Sequence, residues 1–376
     1  MYKLKEIKDK NTWNNFIYEN QFDFYSFLCS WEWTEFQEKT WNDVLKFGIF
    51  KPHPTSPQGE ELIGILPLII KRAKRWTYLF APHTPLVSKK LKVESWKWKG
   101  KDSETSSEWQ ENQSYFLDVL EDILPELKKI AKEQKANFIR FNSPVKNTKE
   151  SKQNFKKLGF IDAPMHEHAE DTHLLDLTKS EEELLANIKK KDRYYINRAI
   201  KEWVEIVKGN TPEQKEILTK MHIKHSKKVG YHPFSEKFIN YLYDVFWDNI
   251  TTISARYEWE VESILITIKF WKTCVYYIAT SDIKHPKFSP NYLCQWEAIK
   301  QAKADGCEIY NFWGVSPDDN PTHPIAWVTK FKRKFGWYDY SLLHAQDLVT
   351  SPKYWFNWII ETLRRKKRGY YYKKPK

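Results

Sequence analysis

Hydrophobic positions along this chain change period several times, and the changes mark its elements. Trp13 to Glu19 and Trp31 to Thr40 carry apolar residues at helical spacing. Leu45 to Phe50 and Glu61 to Lys71 alternate or run apolar, which predicts paired strands, and Trp76 to Ala81 predicts a third. Tyr115 to Lys135 predicts a helix and Asn137 to Phe141 a buried strand. The polar, Trp-dotted stretch Lys92 to Asn112 between them reads as an inserted surface loop. Leu174 to Leu177 opens the second half as a strand. Ser180 and Glu183 then stand at capping-box spacing, ahead of a long basic helix running to Glu202. Thr211 to Lys228 and Ser235 to Trp247 predict helices. Thr252 to Tyr257, Val261 to Phe270 and Thr273 to Thr280 predict a strand meander. Helix Asn291 to Ala304 and strand Glu308 to Phe312 follow, then a short basic helix over Phe331 to Phe335 that stops at Gly336. Meander, helix, strand, helix, strand is a mixed α/β (α+β) order, not a doubly wound dinucleotide fold. Gly64, Gly209 and Gly230 stand alone, without a nucleotide fingerprint.

The order occurs twice. Ala131-Lys132 leads to Phe138-Ile139-Arg140-Phe141 at the spacing by which Ala302-Lys303 leads to Ile309-Tyr310-Asn311-Phe312. A short helix follows each strand, closing at Phe155 to Phe160 in one half and at Phe331 to Gly336 in the other. A unit of roughly 170 residues repeated twice is too few copies for a solenoid, so two similar tandem domains are expected.

Composition adds limits. With 376 residues, 41% apolar and 16% aromatic, the chain can build two cores and is not disordered. The 18 Trp fill those cores or line a cleft. The charged start, Met1 to Glu6, is not followed by an apolar stretch, against a secretory signal. Leu62 to Ile70, interrupted by Pro67, is too short to span a bilayer. Cys29, Cys274, Cys294 and Cys307 show no paired spacing, as scattered thiols of a reducing cytoplasm would. His166, His168 and His173, interleaved with Glu167, Glu170 and Asp171, lack the strict spacing of a metal site, and no metal is expected there.

The net charge of +12 is concentrated at the end, where Ser351 to Lys376 holds nine Lys or Arg against one acid, Glu361. Trp355, Phe356, Trp358, Ile359, Ile360 and Leu363 lead into Arg364-Arg365-Lys366-Lys367-Arg368. Such a helix either docks its apolar stripe on the body, with a solvated basic end, or rests on an anionic membrane face.

Several segments, in order, resemble the FemABX aminoacyltransferases, which build peptidoglycan side branches from aminoacyl-tRNA. They are Ser30 to Gln37, Leu66 to Lys71, Arg140 to Pro144, Thr172 to Leu177 with Lys191 to Ala199, Phe312-Trp313-Gly314, and Phe331 to Gly336. The resemblance implies two tandem GNAT-like domains with mixed sheets, and the chain lacks a stretch long enough for the coiled-coil arm of some members. Residues 1–165 with 344–376 would form the first, acceptor-binding domain, and 166–343 the second, on the aminoacyl-tRNA side. A cytoplasmic monomer, in peripheral contact with the inner membrane face through the basic terminal helix, is expected, and the resemblance implies aminoacyl-tRNA as co-substrate and no cofactor.

The resemblance places Lys332 beside the tRNA end, where an ammonium offsets the charge of a tetrahedral intermediate; read alone, Lys332 is equally one cation of a solvated helix. Phe331 would anchor that helix. Lys39 and Lys228 would meet the acceptor pyrophosphate, Lys228 standing where relatives use an arginine and keeping the charge without the bidentate fork. Trp33, Asn142 and Tyr277 complete the substrate-binding candidates. Lys190, Lys191, Arg193 and Arg198 present cations to tRNA phosphates or to solvent. Tyr276 and Tyr277 fall on opposite faces of a strand, so one of them faces a core. Thr322-His323-Pro324 shapes the approach to the Lys332 helix or caps it. Two other readings stay open. An acetyl-CoA-dependent N-acetyltransferase needs a glycine-rich phosphate loop, which is not found here. A non-catalytic tRNA-binding protein should spread its charge along a groove.

Overall fold

The computed structural model describes residues 2–20, 26–52, 59–88 and 106–373. The chain divides into two compact units, Met1–Glu170 with Ser341–Lys376, and Asp171–Tyr340.

The first unit runs β1 (Lys3–Glu6), α1 (Lys10–Glu19), α2 (Trp31–Lys39), β2 (Asp43–Pro52), β3 (Glu60–Arg72), β4 (Thr77–Pro82), β5 (Leu86–Val87), α3 (Ser106–Glu133), β6 (Phe138–Asn142), α4 (Lys149–Lys157) and β7 (Phe160–Asp162). The second runs β8 (Asp171–Asp176), α5 (Glu181–Asn187), α6 (Lys190–Lys201), β9 (Glu205–Lys208), α7 (Pro212–Val229), α8 (Glu236–Phe246), β10 (Ile250–Tyr257), β11 (Glu260–Phe270), β12 (Thr273–Ser281), α9 (Pro290–Ala304), β13 (Ile309–Gly314), α10 (Ala326–Lys332) and β14 (Tyr338–Ser341). The chain then returns to the first unit as β15 (Gln346–Val349) and α11 (Tyr354–Lys367).

Each unit holds one mixed sheet. The orders are β1-β2-β3-β4-β6-β15-β7, with β5 beside β3, and β14-β8-β13-β12-β11-β10-β9. The internal repeat is visible in the pairing. β4 and β6 run parallel, joined through α3, and β12 and β13 run parallel, joined through α9. Beside β13 lies β8, at the start of its own unit. The matching place beside β6 is filled by β15, from the far end of the chain. The first sheet is therefore closed only when the last segment has returned.

The long apolar run in β3 gives strand residues buried on both faces: Ile65, Leu66, Leu68 and Ile69 are all inaccessible. The second core collects Leu175, Ile253, Tyr310, Phe312 and Phe335. The capping box at Ser180 and Glu183 forms as expected.

Three expectations need correction. The single basic helix to Glu202 is two helices, because the chain turns extended at Ile188, whose buried side chain joins the second core. The expected loop Lys92 to Asn112 is helical from Ser106 onward, while residues 92–105 lie outside the described residues. The basic helix near the end is α10, which starts at Ala326; the stretch from Phe331 to Gly336 is its last turn and exit.

The C-terminal helix docks by its polar side. Arg140, 2% exposed, grips Asp347 through two bonds of 2.8 Å and reaches Glu361 of α11 at 2.8 Å. The Tyr354 hydroxyl donates to Asp347 at 2.8 Å. Tyr354, Asn357 and Glu361 form the buried face, and Trp355, Phe356, Ile359 and Leu363 are exposed. The apolar stripe does not dock on the body, because the buried charge of Arg140 must be met by carboxylates and these set the helix's rotation. Among the described residues, no helix is long and apolar enough to cross a membrane.

Candidate active site

Pairing between β12 and β13 covers Thr273 to Val275 and Ile309 to Asn311, then stops. Both strands continue, β12 to Ser281 and β13 to Gly314. The two parallel strands thus part, opening a wedge in the middle of the second sheet. Each bears an irregularity there. The β11–β12 register shifts so that Ile266 faces Ile278 and Thr267 faces Tyr276, leaving Tyr277 as the extra, bulged residue. The β13–β8 register shifts between Asn311 and Gly314. Trp313 has φ +60°, and its N–H is taken by the Asn311 side chain at 2.8 Å. A non-glycine residue in that region is strained, and pairing with β8 resumes at Gly314, opposite Thr172.

α10 delivers Lys332 to this wedge. Phe331 and Phe335 pack around Tyr292, and Phe335 is fully buried. Thr329 Oγ1 accepts the Ser316 N–H at 2.7 Å, tying the preceding loop to the helix. Arg333 pairs with Asp319 and Asp339. His323, buried, accepts the Ala326 N–H on its carbonyl at 2.9 Å and so caps α10. Held in this way, Lys332 is 7% exposed, and its Nζ donates to the Gly314 carbonyl at 2.7 Å. The ammonium lies 5.7 Å from the centre of the Tyr276 ring. Among the described residues no carboxylate pairs with it. Burial alone pulls its pKa down to about 7. A buried amine poised near neutrality at a strand break can hold a proton against developing negative charge or exchange one.

The bulged Tyr277 lies against Phe234 (6.1 Å between rings) and Trp313 (6.2 Å). Tyr276 instead packs on the core with Phe312, as the alternation requires. Phe234 is braced by His222, whose Nε2 accepts the Phe234 N–H at 3.1 Å while Nδ1 faces the Tyr231 hydroxyl at 3.2 Å. Lys228 is exposed in the last turn of α7, which ends at Gly230 with φ +84°.

The basic helix α6 is partly committed to its own fold. Arg193 donates to the Ala186 carbonyl at 3.0 Å, and Arg198 to Tyr194 at 2.9 Å, with Glu202 at 3.6 Å. Lys190 and Lys191 are exposed. Asp192, buried, pairs with Lys334 at 3.2 Å and so ties α6 to the segment after α10.

The remaining candidates lie in the first unit. Lys39 is exposed in the last turn of α2. Trp33 is 2% exposed among Phe27, Phe36 and His168, a core position. Asn142 is buried and donates to Glu170 at 3.2 Å. Glu170 is a hub that sequence spacing could not reveal. It accepts the Ala345 N–H at 2.7 Å and faces His344 Nδ1 at 2.7 Å and His166 Nδ1 at 3.3 Å. These imidazoles outweigh burial and hold its carboxyl below the usual range. His166, Glu170 and His344 have ligand atoms within 4.8 Å of one another and could hold a metal ion. As they stand they form a hydrogen-bonded junction, His344 Nε2 donating to the Ala163 carbonyl at 2.7 Å. His168 stays in this unit near Trp33, while His173 belongs to the second and pairs with Asp339 at 2.7 Å. What sequence reasoning missed at the wedge is the Gly314 carbonyl and Thr329; the motif around Gly314 was the available signal.

The FemAB family model matches residues 255–360, a span from the end of β10 through the wedge, α10 and into α11. No curated protein matches the chain by sequence. The crystal structure of FemX superposes with a TM-score of 0.74 at 15% identity, covering 96% of this chain and 100% of that one. L-PGS from Bacillus licheniformis gives 0.51 at 13%, covering 95% and 97%. A tandem GNAT protein from the clavulanic acid biosynthesis pathway gives 0.51 at 8%, covering 94% and 99%. At these identities the likeness is one of fold, two mixed sheets in a tandem GNAT-like arrangement. The family match lies on the segment that builds the wedge, so the chain is similar there to the FemAB family, and its fold as a whole is FemX-like.

Proposed function

We propose that this protein transfers an aminoacyl group from aminoacyl-tRNA to a side-chain amine of a peptidoglycan precursor. The observation that carries the reading is the buried amine of Lys332, held by the Gly314 carbonyl at the parted strands of an acyltransferase-like sheet. An aminoacyl ester is already activated. The acceptor amine attacks the ester carbonyl, a C–N bond forms, and the C–O bond to the terminal ribose breaks. The acceptor loses one proton, and the ribose oxygen gains one. The protein must align the two groups, exclude water and offset the oxyanion. Lys332 supplies the offset in its ammonium form, whose charge stands beside the place where the oxyanion develops. Tyr277, with Phe234 and Trp313 around it, walls the space in which the aminoacyl group would lie. Lys190 and Lys191 are free to face tRNA phosphates, whereas Arg193 and Arg198 shape α6. In the second unit, Lys228, exposed at the end of α7, is the candidate cation for the acceptor's phosphates. The reaction needs no cofactor.

Acetyl-CoA is disfavoured as donor. The helix after β12 begins Ser289-Pro290, and Pro290 at its first turn removes one of the N–H groups that would cradle a pyrophosphate. Incubating the purified chain with charged tRNA and precursor pools should give a new amide-linked product by mass spectrometry. Transfer from acetyl-CoA instead, or equal binding of charged and uncharged tRNA with no product, would discard the reading.

A further inference from the structure

We propose that the outward face of α11 rests on an anionic lipid surface, holding the first unit at a membrane without crossing it. The helix is fixed to its unit by Tyr354 and Glu361, so its rotation is set, and the face left outward is apolar. Trp355 is 53% exposed, Phe356 60%, Ile359 53% and Leu363 61%. Positions 355, 359 and 363 recur every four residues, and 356 and 363 are seven apart, so these side chains share one stripe. Lys366 and Lys367 stand three and four residues past Leu363 and continue that stripe as cations. Arg364 and Arg368 flank them, exposed. An apolar face ending in a cationic cluster matches the boundary between acyl chains and acidic headgroups. A protein groove would need the apolar face but not five consecutive cations, so charge favours lipid. At 14 residues the helix is too short to span a bilayer but suits lying in its plane. The proposal stands whether or not the transfer reading is correct.

The test is co-sedimentation of the full chain with vesicles of phosphatidylcholine alone and of phosphatidylcholine mixed with phosphatidylglycerol. The chain should pellet with the anionic vesicles, stay largely in the supernatant with neutral ones, and be released by high salt. Neutralising Lys366→Gln and Lys367→Gln should weaken partition about fivefold per cation. Phe356→Ser with Ile359→Ser and Leu363→Ser should abolish it while thermal melting stays unchanged, since these groups are already in water. Equal binding to both vesicles, no binding, or a dimer lost in the serine variant without any vesicle binding would overturn the proposal, the last in favour of self-association.

A second inference rests on different residues. Trp41, Trp203, Trp259 and Trp271 all have φ between 54° and 69°. Trp41 follows the C-cap of α2, with its N–H on Glu38 O and the Asn42 N–H on Gln37 O. Trp203 ends α6 in the same way, with Val204 N–H on Ala199 O. This is the Schellman arrangement that Gly306 makes after α9. Trp259 is the second residue of the two-residue β10–β11 hairpin, where both loop residues have positive φ, and Trp271 is the first of the β11–β12 hairpin. All four are places where glycine is favoured. Trp41, Trp203 and Trp259 are 84%, 89% and 91% exposed, so packing does not repay the strain. The chain has 18 Trp and 11 Gly, the latter under half of the usual share of about 7%. We infer that these four positions are glycine in the protein as its own cells make it. The codon UGA, read as tryptophan in some genetic codes and as glycine in others, links the two residues.

Sequencing the gene should show UGA at these positions and UGG at the buried Trp13. Peptide mass mapping of protein from the source cells should show glycine at all four. UGG codons there, or tryptophan in the natural peptides, would overturn the inference. Neither result bears on α11, whose face is set by Phe356, Ile359 and Leu363 as well.

Discussion

Lys332 Nζ and the carbonyl oxygen of Gly314 are 2.7 Å apart, the last turn of one helix meeting the strained end of one strand. This bond puts an amine of pKa about 7 at the parting of β12 and β13. If the ammonium form assists transfer, kcat/KM falls as pH rises through about 7. Lys332→Arg keeps its charge, so that falling limb should vanish from its pH profile, at whatever rate remains. Lys332→Met should lose at least about tenfold in turnover. A Met variant near the parent rate would remove Lys332 from the mechanism.

The same burial makes a stability prediction of opposite sense. The folded pKa, about 7, lies below the ordinary 10.5. Between those values the unfolded chain holds a proton that the folded chain has released, so stability rises with pH across that window. Below it both states are protonated, and the full cost of burying the cation remains. Lys332→Met should therefore be more stable than the parent near pH 6, by roughly 1–3 kcal/mol, with the gain shrinking toward pH 10. Urea melts at the two pH values measure it, and a gain that does not change with pH refutes the assignment.

Arg140 is the cation on which the first unit closes. Its partners Asp347 and Glu361 come from the returning segment, more than 200 residues away in sequence. Arg140→Met leaves two carboxylates buried without their cation and should cost about 3–5 kcal/mol. Because β15 sits between β6 and β7, the loss should also loosen the sheet itself. Amide exchange at Gln346 to Val349 should quicken with it; unchanged exchange there would mean that β15 is held by its ladder alone.

The tandem repeat was legible because its strands and helices carry the same order twice, and buried strands such as Phe138 to Phe141 announce themselves by composition. Most elements were read to within a few residues. The wedge was legible only in part. Asn311 to Gly314 stood out as a strand running into a loop, but a strand break at Trp313 depends on backbone angles that residue identity disguises, tryptophan being a poor signal for φ +60°. Which way the stripe of α11 turns was left open by the sequence for a physical reason. Periodicity says which residues share a face, and Arg140, far away in sequence, decides which face turns inward. The Glu170–His344 junction was hidden by the same distance.

Gly336 closes the basic segment because of His173. A Cβ built at position 336 would lie 2.1 Å from His173 Cδ2 and 2.3 Å from Nε2. The ring cannot step aside freely: Nδ1 is bonded to Asp339 at 2.7 Å, and Asp339 in turn holds Arg333. Arg333 secures Asp319 in the loop before α10, so a displaced imidazole would disturb the elements that seat Lys332. Gly336→Ala should cost about 1–3 kcal/mol, as overpacking does, and should reduce transfer as well. His173→Ala removes the clashing ring at the price of its bond to Asp339. The double variant should then be more stable than the sum of the two single losses, a favourable coupling of at least about 1 kcal/mol in a double-mutant cycle. Additive losses would mean that position 336 is glycine for a reason other than the imidazole beside it.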